Sequence, residues 1–270
     1  MDWNKINGLI PEVVNDVKKE YIVNNKIIKD DIFRILEKHC VVVYYPISNE
    51  TKNRGFHIKR FLEGKLTDFV YINTAKTTAE QVFAAAHELG HVWRVADKVW
   101  KKLDIDERLT EEIEEKIVGR FAAELLMPEI EFKKTFMVHL KGLGFDPAHI
   151  RLDELIRVMV MQMSDFMVPY EAVRRRMLET YIIPDEIGDV LCVDNNEVIN
   201  ATICAYLKDL NTALDQVSGK KTIPGLRDLL DKAEVSGAVS EYVLFKIKED
   251  FSVEDVNATS QVISISVGDE

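Results

Sequence analysis

A chain of 270 residues, 47% hydrophobic and 30% charged, is long enough to bury a sizeable core in one large domain or two smaller ones. Its formal net charge of -11 and pI near 5.2 oppose direct binding to nucleic acid or to an anionic membrane surface. The N-terminus shows no apolar stretch of signal-peptide or membrane-span length, and the three scattered cysteines, Cys40, Cys192 and Cys204, suggest neither a disulfide framework nor a cysteine metal cluster, so a soluble protein of the reducing cytoplasm is expected.

Residues 9–39 carry two helical patterns, the second opening at Asp30-Asp31 and running through Ile32, Phe33, Ile35 and Leu36. The period then changes. Cys40 to Tyr45, Gly55 to Leu62 and Leu66 to Asn73 read as three strands, separated by Ser48-Asn49-Glu50 and Glu63-Gly64-Lys65, which predicts a small antiparallel or mixed sheet.

Thr77-Thr78-Ala79-Glu80 fits a capping box, and Val82, Ala86, Leu89 and Trp93 fall on one face of the pattern that follows, so a helix is predicted over about 78–96. His87 and His91 lie on its opposite side. A charged stretch from Ala96 to Asp106 leads to Thr110, after which Ile113, Ile117, Phe121 and Leu125 recur at helical spacing until Pro128. Further helices are predicted at 129–141, 151–163 and 169–181. Pro184-Asp185-Glu186-Ile187-Gly188 marks the expected boundary, with one domain over 1–184 and a mixed α/β region over 185–270. In that region helices are expected near 196–216 and 224–234, and strands at Tyr242–Ile247 and Gln261–Val267.

The chemistry centres on His87-Glu88-Leu89-Gly90-His91, an H-E-x-x-H motif of zinc peptidases. On a helix the two imidazoles stand one turn apart and can reach one ion, with Glu88 beside them as the general base. Chance produces this pattern in about one chain in a hundred of such composition, so the helical context carries its weight. A catalytic zinc site takes a third protein donor. The three-histidine extension would need His six residues after His91, where Asp97 stands. The remaining pool is Glu111, Glu112, Glu114 and Glu115, in the first turns of the following helix. Periodicity leaves the choice open: Glu114 points along the centre of the apolar face, Glu115 lies at its edge beside Ala122 and Leu126, and Glu112 faces solvent.

Ala84-Ala85-Ala86-His87-Glu88-Leu89-Gly90-His91, paired with Phe121-Ala122-Ala123-Glu124-Leu125-Leu126-Met127-Pro128, resembles the ImmA/IrrE family of zinc metallopeptidases over roughly residues 20–180. The strand Phe69–Asn73 before the helix matches as well. The resemblance implies an α+β, zincin-like fold and a Zn2+ cofactor held by His87, His91 and Glu115, the last of these twelve residues before Met127. It also implies endopeptidase activity with Glu88 as catalytic residue, on a protein substrate such as a bacterial or phage-type helix-turn-helix repressor. In one respect the chain departs from the family: Gly119 stands where members commonly carry Asn or Asp, one turn after the ligand glutamate, placed to orient a ligand histidine. The alternative function is a metal-binding regulatory or DNA-binding protein without peptidase activity. Tyr71, His139, His149 and Tyr170 are candidates to stabilise an oxyanion, with no assignment among them. Asp153–Ile182, with Arg174-Arg175-Arg176, could be read as a helix-turn-helix, but the preferred reading is helices of the same domain with the arginines on a solvated face.

Overall fold

The computed structural model describes residues 3–62, 64–104, 108–194, 196–210 and 212–253. The chain separates into two compact units, Met1–Lys220 and Lys221–Glu270.

In the first unit, α1 (Trp3–Glu20) buries Ile6, Ile10, Val13 and Val17, residues three and four apart on one face. After α2 (Asp31–Glu37) come β1 (Val41–Tyr45), β2 (Gly55–Leu62) and β3 (Lys65–Asn73), paired in the order β1-β3-β2. The sheet is mixed. β1 runs parallel to β3 in the register Val42↔Val70 and Tyr44↔Ile72, and β2 folds back antiparallel from Leu62↔Lys65. Alternation sends Val42, Tyr44, Val70 and Ile72 to the buried face. At the end of β3 the buried Asn73 fixes the loop that follows β1: Oδ1 accepts from Ile47 and Ala75 amides, while Nδ2 donates to the carbonyls of Ser48 and Asn53. Those bonds use the full capacity of the carboxamide, which makes it tolerable in a core.

Four residues after Asn73, Thr77 caps α3 (Thr78–Val92) with the expected capping box, Thr77 Oγ1 accepting from the Glu80 amide and Glu80 accepting from the Thr77 amide. The Thr78 and Ala79 amides, which a helix start leaves without intrahelical partners, donate to the carbonyls of Gln216 and Leu214. A strap from the end of the first unit therefore covers the start of this helix. Val82, Ala85, Ala86 and Leu89 form its fully buried face.

The helix stops earlier than its pattern suggests. Arg94 adopts a left-handed conformation, and α4 (Val95–Leu103) sets off within the stretch read as merely charged. Its lysines and aspartate are the solvated face of an amphipathic helix that buries Val95, Ala96 and Val99. Lys98 and Lys102 donate to Glu20 and Glu12 of α1. α5 (Glu111–Leu126) is capped by Thr110 and packs along α3. α6 (Glu129–Leu143), α7 (Leu152–Phe166) and α8 (Tyr170–Glu179) complete the helical part. α9 (Asp185–Val190) packs on α8 and α10 (Glu197–Leu210) on α7, so the segment following Pro184 starts within the first unit.

The second unit contains α11 (Leu226–Ser236) and α12 (Glu241–Asp250), which bury Leu230 and Leu244. Tyr242–Ile247, expected as a strand, is thus helical. Ser240 caps it by accepting from the Val243 amide, and the run Tyr-Val-Leu-Phe-Lys-Ile satisfies either period over so short a length. Among the described residues from 185 onward, all named elements are helices. The expected strand Gln261–Val267 lies outside the described residues. No described helix is long and apolar enough to cross a membrane.

Candidate metal centre

Capping at Thr77 sets the phase of α3, which turns its alanine-rich face to the core and leaves His87 and His91 at the edge of a cleft, 23% and 13% exposed. Capping at Thr110 does the same for α5, placing Glu114 and Glu115 in its first turns. What brings the two helices together is Gly90, inside the motif. A Cβ there would lie 2.8 Å from Val118 Cγ1 and 3.1 Å from Phe121 Cδ1. Only a residue without one allows α5 to approach this closely.

Across that contact the Glu115 carboxylate lies between the two histidines: Oε2 is 3.0 Å from His87 Nε2, and Oε1 is 3.2 Å from His91 Nε2. The rings stand 5.1 Å apart and steeply inclined, so both Nε2 atoms converge. One donor atom from each of His87, His91 and Glu115 falls within 4.8 Å of the others. Two imidazole nitrogens with one carboxylate oxygen form a donor set that suits a divalent transition metal better than the all-oxygen shell of calcium or magnesium. The residues present therefore fit a metal.

Glu88 sits beside this group, 5% exposed, with Gly55 of β2 against its side chain. Burial raises its carboxyl to about 7; the His87 charge opposes the rise and the Glu115 charge adds to it. Glu115 itself is held below the usual carboxylate range by its hydrogen bond with His87. His91 is shifted down by burial and by the neighbouring His87.

Three contacts around the donors had no signal in the sequence. Glu114 Oε1 lies 3.1 Å from His91 Nδ1. His57, on β2, stacks nearly parallel to the His91 ring at 6.2 Å, and its Nε2 is 2.6 Å from Asp68 of β3. Periodicity assigns each of these residues a face of its own element, but not the partner it meets. Gly119 lines the same cleft as His87 and Glu115, a space of about 860 Å³, and a Cβ at 119 would meet nothing within 4 Å.

The oxyanion candidates are engaged elsewhere. Tyr71 donates to the Tyr45 carbonyl, Tyr170 donates to that of Leu191, His139 pairs with Asp165, and His149 pairs with Asp146. The arginine triplet is not a solvated face. Arg176 is buried, bonded to Glu124 and to the Met127 carbonyl, Arg174 is 12% exposed on Glu171, and Arg175 alone points outward. Arg176 is an internal clamp, its guanidinium meeting the Glu124 carboxylate that folding brings from α5, whereas Arg174 and Arg175 share Glu171 of their own helix.

The family model of the IrrE N-terminal-like domain matches residues 36–178, just over half of the chain. A search of curated proteins finds no match. Among solved structures, a Mycobacterium tuberculosis transcriptional regulator is similar, at 14% identity and a TM-score of 0.41, over 66% of this chain and 52% of that one. The chain thus spans about half the length of that regulator.

Proposed function

The chain belongs to the IrrE N-terminal-like family, a metallopeptidase-type family, and from that premise we propose that it is a zinc-dependent endopeptidase acting on a protein substrate. His87, His91 and Glu115 would hold the ion through three of its four usual positions. Zinc in this place supplies a Lewis acid that acidifies water and polarises the scissile carbonyl. Glu88 accepts a proton from water and returns it to the leaving amine. Its carboxyl, buried and raised to about 7, has the basicity that such a transfer needs near neutral pH. Ionised Glu88 is the working form, so the rate rises with pH through its pKa, which a bound cation moves downward.

One observation above all supports this reading: two Nε2 atoms lie 3.0 and 3.2 Å from the same carboxylate, next to a buried glutamate on the same helix. The family resemblance supports a bacterial or phage-type transcriptional repressor as the substrate, with residues 185–270 proposed to select it or receive a signal. The experiment is mass spectrometry of a candidate repressor incubated with zinc-loaded protein, alongside metal analysis. Wild type should cut it, Glu88→Gln should keep zinc without cutting, and His87→Ala should lose zinc. Equal cleavage by Glu88→Gln would remove Glu88 from the base role. The open position at Gly119 favours a second reading, a metal-binding partner that holds a repressor intact; stoichiometric zinc with an uncut, co-purifying repressor would select it.

A further inference from the structure

We propose that Glu114 is a positioning residue of the metal centre, whose carboxylate accepts a hydrogen bond from Nδ1–H of His91 and so fixes the ring with Nε2 facing the ion. A carboxylate accepts hydrogen bonds, so with an ion on Nε2 the 3.1 Å contact between Glu114 Oε1 and His91 Nδ1 is one that Nδ1–H would donate, which leaves the Nε2 lone pair for the ion. Nε2 is also the atom that faces Glu115. Two consecutive glutamates thus engage the two nitrogens of one imidazole, the first by orienting it and the second by sharing its metal position. Both reach because Gly90 lets α5 run against α3. Gly119 has no side chain to orient either histidine, and the nearby Glu112 is turned outward, 78% exposed and paired with Lys116. The His57 ring, itself held by Asp68, adds a parallel contact on His91.

The inference rests on the metal-centre reading above. Its test is zinc affinity by competition with a chromophoric chelator, with urea denaturation of the metal-free proteins in parallel. Glu114→Ala should bind zinc 10- to 100-fold more weakly, the usual cost of losing such a partner. Its metal-free denaturation midpoint should stay at that of wild type, because the pair lies at the cleft edge. Glu114→Gln, whose amide oxygen still accepts, should recover most of the affinity. An unchanged affinity in Glu114→Ala overturns the proposal, as does a loss equal to that of Glu115→Ala, which would make Glu114 a ligand. A metal-free midpoint that falls with the affinity would also overturn it by assigning a structural role. If wild type and His87→Ala both fail to bind zinc, the metal centre itself falls, and the proposal with it. The wild-type measurement thereby separates the two failures.

Discussion

Burial of Glu88 predicts that removing its charge stabilises the metal-free protein, and does so only above a definite pH. Its carboxyl rises from an ordinary 4.5 to about 7 in the folded chain. At about 1.4 kcal/mol for each pH unit, that rise costs the ionised folded form roughly 3 kcal/mol. The folded value lies above the unfolded one, so the protonated carboxyl's contribution is complete below pH 4.5 and is lost as pH climbs to about 7. Glutamine resembles the protonated form and cannot ionise. Glu88→Gln should therefore match wild type near pH 4.5 and exceed it by up to roughly 3 kcal/mol at pH 8. The assay is urea denaturation in the presence of chelator, followed by tryptophan fluorescence. Trp3, Trp93 and Trp100, the chain's three tryptophans, all belong to the unit that carries the site. Saturating zinc should narrow the gap at pH 8, since a nearby cation stabilises the ionised carboxylate. Parallel pH profiles for the two proteins, or a gain confined to low pH, would refute the assigned burial and its sign.

Gly90→Ala places a Cβ 2.8 Å from Val118 Cγ1 and should cost about 1–3 kcal/mol by denaturation, with weaker zinc binding; adding Val118→Ala should restore part of both, and a neutral single variant would disprove the close approach. Truncating one member of the buried pair, Glu124→Ala or Arg176→Ala, should destabilise by about 3–5 kcal/mol because the other charge is left buried. Replacing both by methionine should cost clearly less, and equal losses would show that solvent reaches the lone charge. Thr77→Ala removes the cap of α3 and should lower stability by about 1 kcal/mol, read as a lower melting temperature. Thr77→Ser should melt close to wild type.

Much of the fold is legible because neighbours in sequence carry it. The capping box at Thr77, the strand alternation in Val42, Tyr44, Val70 and Ile72, and the helical spacing from Ile113 to Leu125 are local patterns, and each corresponds to an observed element. The misreadings are local ambiguities. The α4 segment looks like a charged loop because its solvated face is rich in lysine, and its three-residue apolar face matters only when it packs. Tyr242–Ile247 is too short for its apolar residues to separate a period of two from one of 3.6. At the site, the H-E-x-x-H spacing singles out His87, Glu88 and His91. The choice of Glu115 among four glutamates came from family resemblance, not from periodicity.

The sequence by itself determined that two imidazoles and a carboxylate share one turn of a capped helix, since that depends only on residue spacing and helix geometry. Only the tertiary structure decided what meets them. Glu115 between the two Nε2 atoms, Glu114 on Nδ1 and His57 stacked alongside come from other elements of the chain. Their arrival depends on the distance between α3 and α5, which the missing side chain of Gly90 sets. A repeat along one element specifies which face a residue occupies. The side chain across the gap is fixed only when both elements pack, because packing sets their separation and rotation together.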